Sequence, residues 1–319
     1  MFINNFVLKP DKYLLPAYRI SPFNTEDIAL HNKLPFSAEI DDYFQERFEG
    51  RRCLFCESGR AAVNLALQTL QLDAANTVTI LTTTGNTYIS KCVTTEIEKF
   101  CRWSRDWRED TRAILVNHEF GFGYEQLREL KRFQLPVIED AAHSFASDNS
   151  EQSVSRVGLF TVYSFPKFFP IQLGGLLVCD ETIDVPEPVS LETKRYMQKI
   201  LSFYIKRLVS TKEKRRQTFE YFSVKFKELG FSPRFHLTTH SIPGVFMFKS
   251  NGQVDLPAMK VFLTNHGIQC SVFYGENAFF LPLHERIETD DVDYFFEAVR
   301  FFVEDISNQS EKGSKVVPK

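Results

Sequence analysis

The sequence predicts an α/β protein: a mostly parallel sheet with helices on both faces, plus a smaller α+β C-terminal part. Three observations carry this. Short apolar runs alternate with amphipathic stretches between about residues 53 and 179, the pattern of βαβ units. After about Pro186 the alternation gives way to a long helical periodicity. The length, 319 residues, allows two domains or one large α/β domain with a smaller one packed on it.

Residues 1 to about 50 read as irregular, with Pro10, Pro16, Pro22 and Pro35 as punctuation. CLFC (53–56) reads as a strand. Ser58 and Gly59 turn the chain into a helix whose apolar residues recur at three and four spacing from Ala61. VTIL (78–81), AILV (113–116), PVIED (136–140), LFTVYSF (159–165) and GGLLVC (174–179) are further strands. Tyr88–Ile97 and YEQLRELKRF (124–133) are the expected helices between them. A helical stretch then runs from about Leu191 to Leu229, followed by strands at 241–250 and 268–274. Asp255, Pro257 and Gly267 bracket a helix with start and stop signals, and Thr289 opens a last one with acids in its first turn. The expected organisation is an N-terminal segment with a large domain over 1–185, a small domain over 186–307 and a disordered polar tail over 308–319.

Composition narrows the function. A net charge of −3 gives no basic surface for a phosphate backbone, so no nucleic-acid partner is expected. No apolar run approaches a bilayer span, and the first residues lack a signal-peptide pattern, so a cytoplasmic protein with no membrane partner is expected. Six scattered cysteines read as free thiols. Cys53 and Cys56 form a CxxC, but no second ligand pair accompanies it, so packing is expected there and no metal. The 32 phenylalanines point to thick aromatic packing and to a large subunit interface.

Four pieces of the first part carry chemistry. ESGRAA (57–62) is a turn into a helix, where backbone N–H groups suit a phosphate. NTYISK (86–91) offers Tyr88, an aromatic able to stack on a flat ring. VIEDAAHS (137–144) delivers an acid to the sheet edge. Glu139 and Asp140 are neighbours on a strand and point to opposite faces, so only one of them serves a site. VYSFPKFFPIQLGG (162–175) sets Lys167 among Phe165, Pro166, Phe168, Phe169 and Pro170, where lost hydration favours a neutral, nucleophilic amine. Each piece alone also has a structural reading: an ordinary helix start, a packed tyrosine, an N-cap Asp, a snorkelling lysine. Their order is the informative feature. Phosphate turn, stacking aromatic, strand-end acid and lysine before Gly-Gly are the parts a pyridoxal-phosphate site needs, in fold-type I order.

The sequence resembles the DegT/DnrJ/StrS sugar-nucleotide aminotransferases, as a shortened member. The resemblance rests on SGRAAVNLAL, AILVNHEFGF, VIEDAAHS, KFFPIQLGGLLV, LTNHGIQCSVFY and LPLHERIETDDVDYFFEAV, and runs from about residue 40 to 303. It implies the fold-type I architecture and pyridoxal 5'-phosphate as cofactor. It implies amino transfer to a keto-sugar, nucleotide-linked, from glutamate as donor, in surface-polysaccharide or related sugar biosynthesis. A homodimer is implied as well. Position by position, it implies that Lys167 bonds the cofactor's aldehyde, Asp140 pairs with the pyridine nitrogen and Tyr88 stacks on the ring. His143 lies near the ring hydroxyl or the opposite ring face, and Ser58, Gly59 and Arg60 hold phosphate. The chain departs from the family at Arg60, usually Thr, and at Val162, usually a phosphate-binding Ser. Ser164, two residues on and on the same strand face, is the expected substitute. A substrate loop that the family keeps between Cys179 and about Ser241 is missing. The alternative to an enzyme is a non-catalytic relative serving as a binding or scaffold protein.

Overall fold

The computed structural model describes residues 16–250, 252 and 254–306. The expected leaderless N-terminus and disordered tail lie largely outside these. The chain divides into two compact units: Ser21–Lys212 with Leu237–Gly244, and Met1–Ile20 with Glu213–His236 and Val245–Lys319.

In the first unit, two short helices, α1 (Asp27–Lys33) and α2 (Glu39–Arg47), precede the sheet. They replace the irregular start read from the sequence. Ile40, Phe44 and Phe48 recur at every fourth position on α2, so one stripe of the helix is buried. Then follow β1 (Arg51–Cys56), α3 (Gly59–Thr69), β2 (Thr77–Thr82), α4 (Lys91–Ile97), β3 (Arg102–Ser104), β4 (Thr111–Asn117), β5 (Val137–Asp140), β6 (Phe160–Ser164) and β7 (Gly175–Asp180). The seven strands form one sheet in the order β1-β7-β6-β5-β4-β2-β3. β2 to β6 run parallel, as does β3. β7 runs antiparallel to both β1 and β6.

Alternate residues of these strands feed two cores. Leu54, Cys56, Val162, Leu177 and Cys179 pack with Ala62, Val63, Ala66 and Leu67 of α3. Phe55, Tyr163, Leu176 and Val178 pack with Phe44 and with Met197, Ile200 and Leu201 of the helix α5 (Leu191–Ile205). A strand buried on both faces reads as a continuous apolar run, which is why these strands were visible in the sequence. The division of the chain falls elsewhere than at residue 185: the apolar stripe of α5 belongs to the core of the sheet unit, and Ser202 Oγ accepts the N–H of Ile40 at 3.0 Å. The expected helix over 124–133 is a turn with a 3-10 segment at Arg128–Phe133, closed by Gln134 in the left-handed region at φ 54°. The helix expected from Tyr88 begins only at Lys91, after its N-cap Ser90.

Helix α6 (Leu208–Lys227) carries the chain into the second unit, so the long helical stretch is two helices. There β8 (Ser232–Pro233), β9 (Val245–Lys249), β10 (Ser271–Phe273) and β11 (Ala278–Pro282) form an antiparallel sheet in the order β10-β11-β9-β8. The remaining helices are α7 (Leu256–Asn265) and α8 (Thr289–Phe301). Aromatic rings fill this core: Phe222 stacks on Phe246 at 4.5 Å and Phe231 on Phe248 at 4.9 Å. The buried guanidinium of Arg215 pairs with Glu285 at 3.0 Å. Phe36 is the only strongly exposed phenylalanine among the described residues. The described phenylalanines lie mostly inside the two units rather than on an apolar surface.

Candidate functional site

The topology gathers the predicted pieces at one edge of the seven-stranded sheet. Parallel β2, β4, β5 and β6 end there. β1 shares the direction of β6 because both oppose β7, so Cys56 ends at the same edge and Gly175 starts from it. Ligands of such sheets bind beyond the carboxyl ends of the strands.

Ser58 leaves β1 with extended backbone and caps α3, its Oγ accepting the N–H of Ala61 at 3.1 Å. Beyond this cap lies the positive end of an eleven-residue helix. Gly59 stands against Ser164: a Cβ built on it would lie 3.0 Å from the Ser164 Cβ. Ser164 therefore sits beside the helix start, while Val162 is buried within the sheet and paired in register with Asp140 and Leu177. Arg60 is exposed, and its Nη2 donates to Cys92 Sγ at 2.9 Å.

Asp140 closes β5 and is buried. Its Oδ2 accepts from Asn117 Nδ2 at 2.9 Å and its Oδ1 from the N–H of Ala142 at 3.1 Å. Burial pushes its pKa up; the Ala142 N–H, Asn117, His118 and Lys167 oppose that push. The adjacent Glu139 belongs to a separate network. Its Oε2 accepts from His118 Nε2 at 3.1 Å and from the N–H of Ser155 at 2.8 Å, and its Oε1 accepts from the N–H of Gly158 at 2.6 Å. His118 Nδ1 accepts the N–H of Tyr124 at 3.0 Å, so the ring donates through Nε2. The alternation thus gives the two acids different duties: Glu139 ties a loop to the sheet, and Asp140 is left for the edge.

Lys167 ends the 3-10 turn Phe165–Lys167 that follows β6, in a hydrophobic setting fixed by the buried Phe165, Phe168 and Phe169. Burial pulls its pKa below the usual lysine value, against the opposing pull of Cys92 and Asp140, which places all three groups within electrostatic reach. Tyr88 lies in the loop between β2 and α4, its N–H bonded to Asn86 Oδ1 at 2.5 Å. That loop is tied down by Glu119, a buried acid whose Oε2 accepts from Thr84 N–H at 2.9 Å and Thr84 Oγ1 at 2.7 Å. His143 follows Asp140 by three residues, its ring 4.8 Å from that of Phe120. Phe120 has left-handed backbone at φ 51°, a conformation that costs energy for a large side chain. Sequence reasoning missed Asn117, Glu119 and Cys92, because each acts through a neighbour that only the sheet brings near.

The donor set fits pyridoxal phosphate: a helix start with adjacent hydroxyls for an anion, a buried acid for a ring nitrogen and a desolvated amine for an aldehyde. Among the described residues no cluster of three or more His, Cys, Asp or Glu gathers to hold a metal. Cys53 and Cys56 are thiols that burial pushes up to about 12. No helix of the described residues is long and apolar enough to cross a membrane.

Residues 106–183 match the model of the DegT/DnrJ/EryC1/StrS aminotransferase family. The matched stretch contains Asn117, Asp140, His143, Ser164 and Lys167. No curated protein matches the chain. Among solved structures, it is similar to the aminotransferase TlmJ from Streptoalloteichus hindustanus, at TM-score 0.71 and 14% identity over 91% of this chain and 100% of that one. It is similar to Helicobacter pylori PseC, an aminotransferase involved in the biosynthesis of pseudoaminic acid, at TM-score 0.70 and 14% identity over 90% and 98%. An E. coli GDP-4-keto-6-deoxy-D-mannose-3-dehydratase with bound hydrated PLP follows at TM-score 0.66 and 14% identity, over 89% and 100%. The fold is therefore that of fold-type I pyridoxal-phosphate enzymes. The family resemblance read from the sequence, with the enzyme class and cofactor it implies, agrees with the family-model match, and the expected architecture agrees with the solved structures.

Proposed function

We propose that this chain is a pyridoxal-phosphate-dependent aminotransferase that moves an amino group from glutamate to a keto-sugar, nucleotide-linked. The observation that carries the reading is the convergence of a buried Asp140 and a desolvated Lys167 at the sheet edge that also holds the capped start of α3.

Ser58, Gly59 and Ser164 would hold the phosphate, and Arg60 would join them by leaving Cys92. Tyr88 would cover one face of the ring, and His143 would stand near the ring hydroxyl or the opposite face. When bound, the cofactor supplies an electron sink conjugated to the reacting carbon. Asp140 keeps a proton on the ring nitrogen, which makes that sink effective. Lys167 Nζ would hold the cofactor's aldehyde and, as a free amine, would accept and return a proton beside the reacting carbon. Its lowered pKa is an advantage in both roles, because the amine must act unprotonated. A lysine at this position also separates the chain from the dehydratase branch of the resembling group, which keeps histidine there. The enzyme works as a homodimer in the cytoplasm.

Borohydride reduction in the presence of pyridoxal phosphate, followed by peptide mapping, tests the reading. A phosphopyridoxyl group on Lys167, with an absorbance change on adding glutamate to the unreduced protein, is expected. An unmodified Lys167 sinks the proposal and leaves the chain a scaffold with the fold of an enzyme.

A further inference from the structure

Asp140 has a partner that no sequence motif pointed to. β4 and β5 are parallel, and Asn117 is paired in register with Asp140. Register partners on neighbouring strands show their side chains on one face of the sheet. Here Asn117 Nδ2 donates to Oδ2 of the acid at 2.9 Å, while the Ala142 N–H takes Oδ1 at 3.1 Å. Each carboxylate oxygen is held by a donor, one from a side chain and one from the backbone.

Asn117 is itself pinned. Its carbonyl accepts from Thr83 N–H at 3.2 Å and Thr83 Oγ1 at 3.3 Å, and the same hydroxyl lies 2.7 Å from the Phe122 carbonyl and accepts the N–H of Glu119 at 3.0 Å. The next residue, His118, is committed to Glu139 and Tyr124. Of the groups acting on Asp140 from the elements around it, Lys167 acts through its charge, whereas the Ala142 N–H and Asn117 each contribute an aimed hydrogen bond.

We infer that Asn117 is a positioning residue for the reaction: its amide fixes the Asp140 carboxylate in its charged form and in one orientation toward the cofactor's ring nitrogen. The inference rests on the functional reading above. A neutral amide N–H favours the ionised acid, and burial favours the neutral one. Without Asn117 the burial effect gains ground, the acid stays protonated to higher pH, and the ring nitrogen loses its counter-charge.

The test uses the full chain and carboxyl-carbon NMR of labelled aspartate, with the Asp140 signal assigned by its loss in Asp140→Asn. In Asn117→Leu, close in volume but without a donor, and in Asn117→Ala, the Asp140 titration midpoint is expected to rise by about one to two pH units. In the unmutated chain, the side-chain amide signal of Asn117 is expected to move with the Asp140 titration, a readout that needs no variant to fold. A constant amide signal while Asp140 titrates, or an unchanged midpoint in folded variants, overturns the inference. Borohydride trapping separates it from the functional reading. Trapping on Lys167 without coupling overturns the inference alone; coupling without trapping overturns the reading and this role with it.

Discussion

Replacing Gly175 by alanine tests how tightly the anion cradle is built. Gly175 starts β7 and is paired with Cys56 on one side and Ser164 on the other, so it has no freedom to shift within the sheet. A Cβ at this position would stand 2.6 Å from the carbonyl carbon of Ser58 and 2.7 Å from both the Ser58 oxygen and the Gly59 nitrogen. All three are backbone atoms. Resting carbon contacts need about 3.5 Å, so the turn must retreat by about 0.9 Å. The turn is bonded to the same strand, with Gly174 N–H donating to the Glu57 carbonyl at 2.8 Å and Ser58 bridging Gly174. Retreat strains these bonds and the Ser58 cap on α3. Overpacking of this kind costs about 1–3 kcal/mol, which at about 2–4 °C per kcal/mol lowers the melting temperature by about 2–12 °C. Because the strain falls on the cradle, affinity for pyridoxal phosphate falls as well. Gly59→Ala is the graded comparison: its Cβ approaches only the Ser164 side chain and backbone, 3.0 Å at nearest, so a smaller loss of stability is expected. Thermal denaturation and fluorescence titration with the cofactor measure both effects. A Gly175→Ala chain that melts and binds cofactor as the parent does refutes the reasoning.

Other outcomes follow from the same geometry. Asp140→Asn is expected to cut turnover by about 100-fold or more with little change in melting temperature, since an amide still accepts the Ala142 N–H but offers no counter-charge; parallel losses of both would make Asp140 merely structural. His284 is buried, with Nε2 3.1 Å from the Arg19 carbonyl and Nδ1 accepting from Arg286 N–H. Burial, then the nearby Arg215, pull its pKa down to about 3. The unfolded chain takes up a proton below about pH 6.5 and the folded one does not, so stability falls as pH drops from about 6.5 toward 3, by at most about 1.4 kcal/mol per unit from this group. Urea denaturation across that range should show a shallower slope in His284→Gln, and equal slopes would remove His284 as the cause. Sedimentation at micromolar concentration with cofactor present is expected to show a dimer, and a stable monomer speaks against the proposed assembly.

What the sequence revealed followed from burial. AILV and GGLLVC were legible because strands covered on both faces must be apolar throughout, and Ser58 because a cap needs a short polar side chain. The segment 124–133 misled because its spacing is helical, yet Gln134 and Pro136 end it before an α-helix can establish itself. The sense of β7 was legible in principle: Phe165–Gly174 is too short a link for a parallel crossover, which takes a dozen or more residues. Lys167 and Asp140 announced themselves by lying at strand ends in odd company. Asn117, Glu119 and Cys92 could not. Their roles depend on lateral register between strands or on the approach of separate loops, and no local pattern encodes that.

The opposite orientations of Glu139 and Asp140 make this part of the chain far less tolerant of insertions and deletions than of substitutions. Removing or adding one residue in β5 would exchange the two acids, sending the carboxylate now bonded to His118 to the sheet edge and burying the other beside Ser155 and Gly158. Both residues would survive in composition, and a comparison scoring only their presence would find nothing lost. Changes in this stretch that conserve length leave each carboxylate on its own face of the sheet. The count of residues along β5, as much as their identity, decides which carboxylate reaches the edge.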